Sequence, residues 1–424
     1  MKILNKKFTL PTSFYPAILL MGVMALGACQ DEEGMGMGMP VIERVRNTDP
    51  STADSSFTSA SLGSTLAIIG TNLKGTEQVF LNDYPLGINP TYVTNTSVIV
   101  TVSDSVPTVA TNPDVPNTLR LVTGSGEAIY EFQTLPPAPQ VQQVKNQYVR
   151  SGEELTLYGR YFYFVDTVYF PGQDAFVTSG FETNSTGTRL TVTVPENLDF
   201  SETQMVSVVT RSGASSTNRN TQIYAGKGMI ADFDTNGVLE WPWNWGWGIS
   251  GEMIKPSQPG IESLEGNFGG MNQAFPANYG WNNDKVINLA AWSGGQPFPT
   301  SPEAEYDPTS PAANFDIRFE LAINTEESIE GLIVQIWYPS ANGELSYDIP
   351  LTEVIKATDG SWHTFSTNLT RLTNGSSRFE TYADFLAGGA DGVKQLRILI
   401  INSSSSDISA VVGVDNIRVV RAVN

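Results

Sequence analysis

Short runs of alternating apolar and polar residues dominate the chain from position 41 onward, and turn residues separate them. The strictest alternation lies at 315–323, where Phe, Ile, Phe, Leu and Ile occupy every second position. A period of two predicts half-buried β-strands, because successive side chains of a strand point to opposite faces. Only residues 382–386 suggest a helical turn. The pattern therefore predicts an all-β protein.

The first half of this pattern occurs twice. Gly152 lies 89 positions after Gly63, Pro195 lies 88 after Pro107, and Gly213 lies 87 after Gly126. Both copies carry a strand of the form Gly-x-x-Leu-x-Ile/Leu-x-Gly, at 63–70 and 152–159. A nearly constant offset across three landmarks indicates two copies of one module. In the first copy we expect the second glycine of this strand to begin a turn with positive φ, where glycine has the least strain.

This strand, followed by a later Val-Pro, resembles the IPT/TIG family of immunoglobulin-like domains. The resemblance implies two tandem immunoglobulin-like sandwiches, at 41–135 and 139–225, joined by the proline-rich segment 135–139. Proline favours extended chain, so we expect the linker to be stiff and the two modules to act as a stalk.

The composition changes after residue 226, because all eight tryptophans lie beyond it. Further alternating segments follow at 332–338, 345–349, 362–365, 396–401 and 411–420. A stretch of this length and pattern, 228–424, predicts a C-terminal two-sheet β-sandwich of jelly-roll type.

The segment before position 41 has the pattern of an export signal. Lys2, Lys6 and Lys7 precede an apolar run at 17–26, which is too short to span a bilayer comfortably. Leu-Gly-Ala at 26–28 followed by Cys29 resembles the bacterial lipobox, which implies a signal peptide at 1–28 and a lipid anchor on Cys29. The alternative is a plain signal peptide with an incidental cysteine. Residues 29–40 are predicted to be a flexible tether, and their acidic start resembles the surface-export signal of Bacteroidota lipoproteins.

Composition narrows the class of function. The formal net charge is −20, which disfavours nucleic-acid binding because that needs a positive surface. The sequence has one cysteine and one histidine, His363, which we expect to be structural. We therefore expect no Ser-His-Asp or Cys-His catalytic set and no metal hydrolase built on histidines. A glycosidase needs only two carboxylates, so a hidden pair stays open.

Three further carboxylates suggest a metal site. Asp232 and Asp234 begin the C-terminal segment and Asp415 lies in its last strand. They resemble structural calcium ligands of carbohydrate-binding jelly rolls, and oxygen ligands suit Ca²⁺. The alternative is ordinary carboxylates at strand ends. No other cofactor is expected.

The order of lipobox, two IPT/TIG-like modules and jelly roll resembles the surface glycan-binding protein B type of Bacteroidota. The resemblance implies a non-catalytic lipoprotein on the outer-membrane surface, not an enzyme, which captures a polysaccharide for a Sus-like uptake system with transporter and lipoprotein partners. A β-glucan such as laminarin, mixed-linkage glucan or xyloglucan is the implied ligand. The alternatives are an adhesin that binds a protein partner and a β-sandwich hydrolase or lyase.

Aromatic rings bury the C–H face of a pyranose and leave its hydroxyls free for polar partners, so tryptophans beside amides are candidate contacts. Packing in the core or rim is the alternative for each of them. Trp362 is expected in the core instead. The candidate glycan-binding residues are Trp281, Asn282, Asn283, Trp292, Gln335, Trp337, Trp245 and Trp247.

Overall fold

The computed structural model describes residues 38–201, 204–234, 253–280, 287–291, 296, 298–300 and 306–422. It consists mainly of antiparallel sheets with few short helices, and the predicted all-β class is confirmed. In these described parts of the chain, no helix is both long and apolar enough to cross a membrane.

The first module is a sandwich of two four-stranded sheets, in the orders β1-β3-β7-β6 and β5-β4-β8-β9, with the short parallel pair β10-β2 beside them. Its apolar core contains Val45, Ile68, Val79 and Leu121. Its strands are β1 (Val41–Asn47), β2 (Ser59–Ser61), β3 (Thr65–Thr71), β4 (Thr76–Leu81), β5 (Tyr84–Leu86), β6 (Ile88–Val93), β7 (Ser97–Thr101), β8 (Thr118–Thr123), β9 (Gly126–Glu131) and β10 (Gln133–Leu135).

The second module repeats this arrangement, with sheets in the orders β11-β12-β16-β15 and β14-β13-β17-β18. Corresponding strands occupy corresponding places, so the repeat recognised in the sequence is a repeat of topology. Its strands are β11 (Gln140–Val144), β12 (Glu154–Arg160), β13 (Val165–Tyr169), β14 (Phe176–Val177), β15 (Glu182–Thr183), β16 (Arg189–Thr193), β17 (Ser207–Thr210) and β18 (Gly213–Ala214).

The repeated strand glycines have a different role from the one expected. Gly70 and its counterpart Gly159 do not have positive φ. Instead, a Cβ on Gly70 would lie 1.8 Å from the carbonyl oxygen of Val41, and one on Gly159 would lie 2.0 Å from that of Gln140. Glycine is needed at both places because the neighbouring backbone approaches too closely for any side chain, next to a register shift in each module.

The C-terminal domain is a sandwich of a six-stranded and a four-stranded sheet. The first has the order β20-β23-β30-β25-β28, with β19 paired to β30, and the second has the order β24-β29-β26-β27. The strands are β19 (Met229–Ala231), β20 (Ile254–Lys255), β21 (Ser257–Gln258), β22 (Ile261–Glu262), β23 (Phe268–Phe275), β24 (Ile287–Ala291), β25 (Phe315–Asn324), β26 (Leu332–Ser340), β27 (Gly343–Pro350), β28 (Asp359–Asn368), β29 (Lys394–Asn402) and β30 (Ile408–Arg421). Two short helices, α1 (Leu351–Val354) and α2 (Tyr382–Ala387), lie after β27 and before β29.

The core of this domain lies between the two sheets. The alternating residues of β25 supply one side of it, including Phe319 and Leu321, and Val334 and Ile336 of β26 supply the other. The 382–386 segment is helical as the sequence suggests, and Phe385 of α2 packs into the same core.

The outer face of the first sheet is covered along much of its length. At one end Trp362 packs with Phe268 and Ile261, and the hairpin β21-β22 lies over this cluster. At the other end the second module docks: the Thr364 backbone N–H donates to the Lys145 carbonyl (2.8 Å), and the Gln147 N–H donates to Thr364 Oγ1 (2.6 Å).

A buried charged network joins the two domains at this second contact. Arg318 Nη1 donates to Gln147 Oε1 at 2.7 Å, and its Nη2 donates to Asp316 Oδ2 at 2.9 Å and to Gln222 Oε1. Arg418 donates to both oxygens of Glu320. Both arginines and both carboxylates are buried. The sheet therefore carries charges on an outer face because a neighbouring domain partners and covers them.

The only histidine of the sequence, His363, is a structural residue on β28. Its Nδ1 donates to the Ser361 carbonyl (3.0 Å), and its Nε2 accepts the Lys356 N–H (3.2 Å). Burial lowers the pKa of His363 to about 4, and protonation of Nε2 would also break the Lys356 hydrogen bond.

We expect this histidine to make the C-terminal domain acid-sensitive. Because its folded pKa lies below the unfolded value of 6.5, its contribution is present above pH 6.5 and is lost as the pH falls towards 4. The expected loss is about 2–3 kcal/mol. Urea unfolding at pH 7 and pH 4.5 would measure it, with His363→Gln as the comparison. An equal pH dependence of wild type and variant would contradict the assignment.

Candidate functional site

Strand β26 separates the core of the C-terminal domain from the outer face of its second sheet. Val334, Ile336 and Tyr338 point into the core, whereas Ile333, Gln335 and Trp337 lie on the opposite face. This is the alternation expected from the sequence, because neighbouring residues of a strand point to opposite sides. The two predicted glycan contacts that the structure describes, Gln335 and Trp337, therefore share one surface.

Trp337 is held by groups on both neighbouring strands. The Arg397 guanidinium on β29 lies 3.8 Å from the centroid of the indole, and the indole Nε1 donates to Glu344 Oε2 on β27 at 3.3 Å. Burial lowers the pKa of Arg397 to about 10, and Glu344 opposes that shift. Leu399 and Ile401 complete the cluster, and only 7% of Trp337 is exposed. The indole thus packs beneath the surface groups of this face and exposes little of its ring.

The accessible half of the face lies along β26 and β27, and it is polar. Gln335 Nε2 donates to Asp348 Oδ1 at 2.8 Å across the strand pair. Glu344 and Asp348 are exposed, and Ser346 between them is half-exposed. Amide, hydroxyl and carboxylate groups in a row can bind the hydroxyls of a ligand that lies along the strand.

The two outer faces of this domain differ in availability. The first sheet is covered along much of its length by the second module and by the hairpin β21-β22, and Asn272 of β23 lies on a part that stays exposed. In the second sheet, the β26–β27 edge remains accessible in the part of the chain that the structure describes. The arrangement of domains therefore selects the second sheet as the candidate binding surface.

Six of the predicted contacts lie outside the described residues. They flank or precede β24, the edge strand next to β29, and Trp292 directly follows its last residue, Ala291. The register pairs Asn288 of β24 with Arg397, which pairs in turn with Trp337, so β24 belongs to the sheet that carries the candidate surface. These six are Trp281, Asn282, Asn283, Trp292, Trp245 and Trp247.

Four residues of this region are not among the glycan contacts predicted from the sequence. Arg397, Glu344 and Asp348 come to Trp337 and Gln335 from adjacent strands, and no local motif marks them. Tyr279 is exposed and pairs through its backbone with Asn402 at the end of β29. Its position in Asn-Tyr-Gly-Trp, beside a candidate tryptophan, is the feature of the sequence that could have indicated Tyr279 as a contact.

The three candidate calcium ligands have other partners in this fold. Asp234 Oδ1 accepts from both nitrogens of Asn267 at 2.8 Å, and Asp415 Oδ1 accepts the Asn416 N–H at 2.7 Å. Burial, and to a smaller degree nearby carboxylates that include Asp232, raise the pKa of Asp415 to about 9. Within the described ranges, no three His, Cys, Asp or Glu side chains are grouped so as to hold a metal. This arrangement does not fit a three-carboxylate site, and calcium binding stays a prediction that only a titration would test.

Comparisons with known proteins agree with this architecture. Residues 223–421 match the sequence model of a family described as the surface glycan-binding protein B xyloglucan binding domain. A curated IPT/TIG domain-containing protein of Bacteroides ovatus is 32% identical over 196 residues, which are 44% of this chain and 40% of that protein. The match thus spans less than half the length of this curated relative.

A solved structure shares the fold over most of the chain. The surface glycan-binding protein B of Prevotella bryantii superposes with a TM-score of 0.59 at 24% identity, over 91% of this chain and 99% of that one. The family match over residues 223–421 confirms, for the C-terminal domain, the resemblance recognised in the sequence, and the likeness to this solved structure shows that the fold is shared.

Proposed function

We propose that this protein binds a β-glucan at the cell surface without cleaving it, and that xyloglucan is the first ligand to test. The observation that carries the proposal is the match of residues 223–421 to a family described as xyloglucan binding. The accessible polar edge of the second sheet supplies the surface. A chain of sugars laid along β26 and β27 would meet first Gln335 and Asp348, then Ser346, and then Glu344.

The expected affinity is modest. An aromatic ring that removes roughly 50–80 Å² of apolar surface from water contributes about 1–2 kcal/mol. Two or three such rings and a few hydrogen bonds, less the cost of ordering the glycan, correspond to a Kd of roughly 10 μM to 1 mM. Weak binding suits a receptor that passes its ligand to a transporter. We include this transfer to a transporter in the proposal.

The spacing of the exposed carboxylates supports binding rather than hydrolysis. Glu344 and Asp348 lie four residues apart on one strand. At about 3.3 Å per residue their backbones are about 13 Å apart. Glycosidases hold their two carboxyl groups about 5–9.5 Å apart. Long incubation with polysaccharide should therefore release no new reducing ends.

The first test removes candidate contacts. We expect Trp281→Ala and Trp292→Ala each to weaken xyloglucan binding about five- to thirtyfold, because each removes one ring. Gln335→Ala should weaken it about two- to fivefold, as expected for a lost neutral hydrogen bond. Calorimetric titration would measure all three. Trp337→Ala needs a thermal melt beside its titration, because the indole is buried.

Asn272→Ala is a matched control for these variants. Asn272 is exposed on β23, in the first sheet. The Asn272→Ala variant should therefore bind the glycan with wild-type affinity. Wild-type affinity in all three site variants would place the glycan elsewhere on the domain.

The anchor is a separate part of the proposal. Surface display requires that Cys29 carry lipid, so Cys29→Ala should leave the protein out of the membrane fraction and unlabelled by radioactive palmitate. Glycan affinity of the purified variant should be unchanged. Fatty-acid labelling of Cys29→Ala would refute the anchor and leave the glycan site untouched.

A further inference from the structure

Two aromatic side chains of the second module face solvent side by side. Tyr169 on β13 lies directly opposite Phe176 on β14, and their ring centroids are 5.9 Å apart. Each is 47% exposed. Both lie on the stalk, far along the chain from the candidate site on β26 and β27.

The first module shows how the same position looks when it is covered. Its counterpart of Tyr169 is Phe80, and the Arg120 guanidinium lies 4.1 Å from the centroid of that ring. Arg120 forms ion pairs with Asp83 and Glu127, with Nη2–Oδ1 and Nη1–Oε2 distances of 3.7 and 3.5 Å.

The second module lacks this cover. The register that pairs Phe80 with Arg120 pairs Tyr169 with Ser207, whose short side chain cannot reach over the ring. Opposite Phe80 lies Pro85, whereas opposite Tyr169 lies the second ring, Phe176. Two changes in one repeat thus uncover one ring and add another beside it.

The size of this patch decides between kinds of ligand. A buried aromatic side chain covers about 150–250 Å², so two half-exposed rings offer roughly 200 Å². A stable protein interface needs about 800 Å² from each partner. Two rings fit one or two sugar units and are too small to hold a second protein or a second copy of this chain.

The surroundings of the rings are polar and fit a neutral, hydroxyl-rich ligand. Ser207 is beside Tyr169, and exposed Gln173 and Asp174 lie in the turn that leads to Phe176. Hydroxyl, amide and carboxylate groups accept hydrogen bonds from sugar hydroxyls while the rings cover the C–H faces.

We infer that Tyr169 and Phe176 form a second polysaccharide contact, on the stalk. The inference rests on the proposed function in that the ligand is the same polysaccharide. One long chain bound at the C-terminal domain reaches the stalk at high effective concentration, so even a weak second contact raises its apparent affinity. A short oligosaccharide gains nothing, because it cannot reach both sites.

The test compares long and short ligands on the mature chain. We expect Tyr169→Ala/Phe176→Ala to weaken binding of xyloglucan polysaccharide about three- to tenfold and to leave binding of a xyloglucan oligosaccharide unchanged. Ser207→Arg should act in the same direction, because it restores the cover that Arg120 gives Phe80 and keeps both rings. Tyr92→Ala is the control, because Tyr92 is 52% exposed on the first module and has no assigned role.

Hydroxyl-radical footprinting gives a second readout. Polysaccharide should protect Tyr169 and Phe176 from oxidation in the wild-type protein, and should not protect Tyr92. Wild-type polysaccharide affinity in both variants, or no protection of the two rings, would overturn the second contact and leave the C-terminal site standing. Failure of the wild-type protein to bind any β-glucan would overturn the proposed function itself.

Discussion

Glu320→Ala is expected to lower the free energy of unfolding of the C-terminal domain by about 3–5 kcal/mol. Glu320 is completely buried, and its carboxylate accepts hydrogen bonds from Arg418 at 2.5 and 2.9 Å and from Thr364 Oγ1 at 2.9 Å. Removing it leaves the Arg418 cation buried without its carboxylate. The effect should also reach the second module, because Thr364 Oγ1 accepts the Gln147 N–H across the junction.

Denaturation followed by tryptophan fluorescence would measure this loss. All eight tryptophans lie after residue 226, so the signal reports on the C-terminal domain alone. The control is Glu320→Leu/Arg418→Leu, which removes both charges and should cost clearly less than the sum of the two single variants. Additive losses would show that the two side chains do not interact, contrary to the geometry.

Trp362→Ala should destabilise the same domain by about 3–5 kcal/mol, the range for a large aromatic removed from a core. The ring meets Phe268 edge-on with centroids 5.2 Å apart, and its Nε1 donates to the Glu262 carbonyl at 2.7 Å. Loss of the indole leaves a cavity beneath the hairpin β21-β22 and an unpaired carbonyl. A thermal melt of the variant beside wild type would measure it, and glycan binding of the folded fraction should be unchanged.

Gly413 provides an internal control for this prediction. A Cβ at that position would lie 2.8 Å from Trp362 Cη2, so Gly413→Ala should itself be destabilising. In the Trp362→Ala background the same change should cost less, because the clash with the indole is gone. An equal cost in both backgrounds would mean that Phe268, and not Trp362, limits the space.

Local pattern was sufficient for the fold class and for the repeat. Alternation at 315–323 predicts a half-buried strand, and β25 is a strand with its apolar residues in the core, but its polar face is buried as well. The three landmark offsets predicted two like modules, and their sheets have matching strand orders. Period and spacing are local properties of a chain, so they can be recognised without knowing which elements meet.

The same local pattern gave the wrong reason for Gly70 and did not indicate Arg397, Glu344 and Asp348, which lie beside Trp337 and Gln335. Gly70 was interpreted as a turn residue, but the constraint comes from Val41, a residue distant in sequence. The sequence leaves Trp337 open as a ligand contact or a packing residue, and the structure places Arg397 over its ring from a strand 60 positions away. Contacts between strands depend on register, and register is set by pairing that no single segment contains.

The amino-acid pattern predicts the order and kind of the domains and a candidate anchor at Cys29, and it restricts tryptophan to the last domain. The sheet face that is available to a ligand depends on how the domains pack against each other. Asp316, Arg318 and Glu320 alternate on β25 like residues of a solvated surface. They are buried because the second module lies over them, and its Gln147 and Gln222 accept hydrogen bonds from Arg318. Burial of a charge depends on what covers it, and that covering surface comes from residues about 100 or more positions away in the chain.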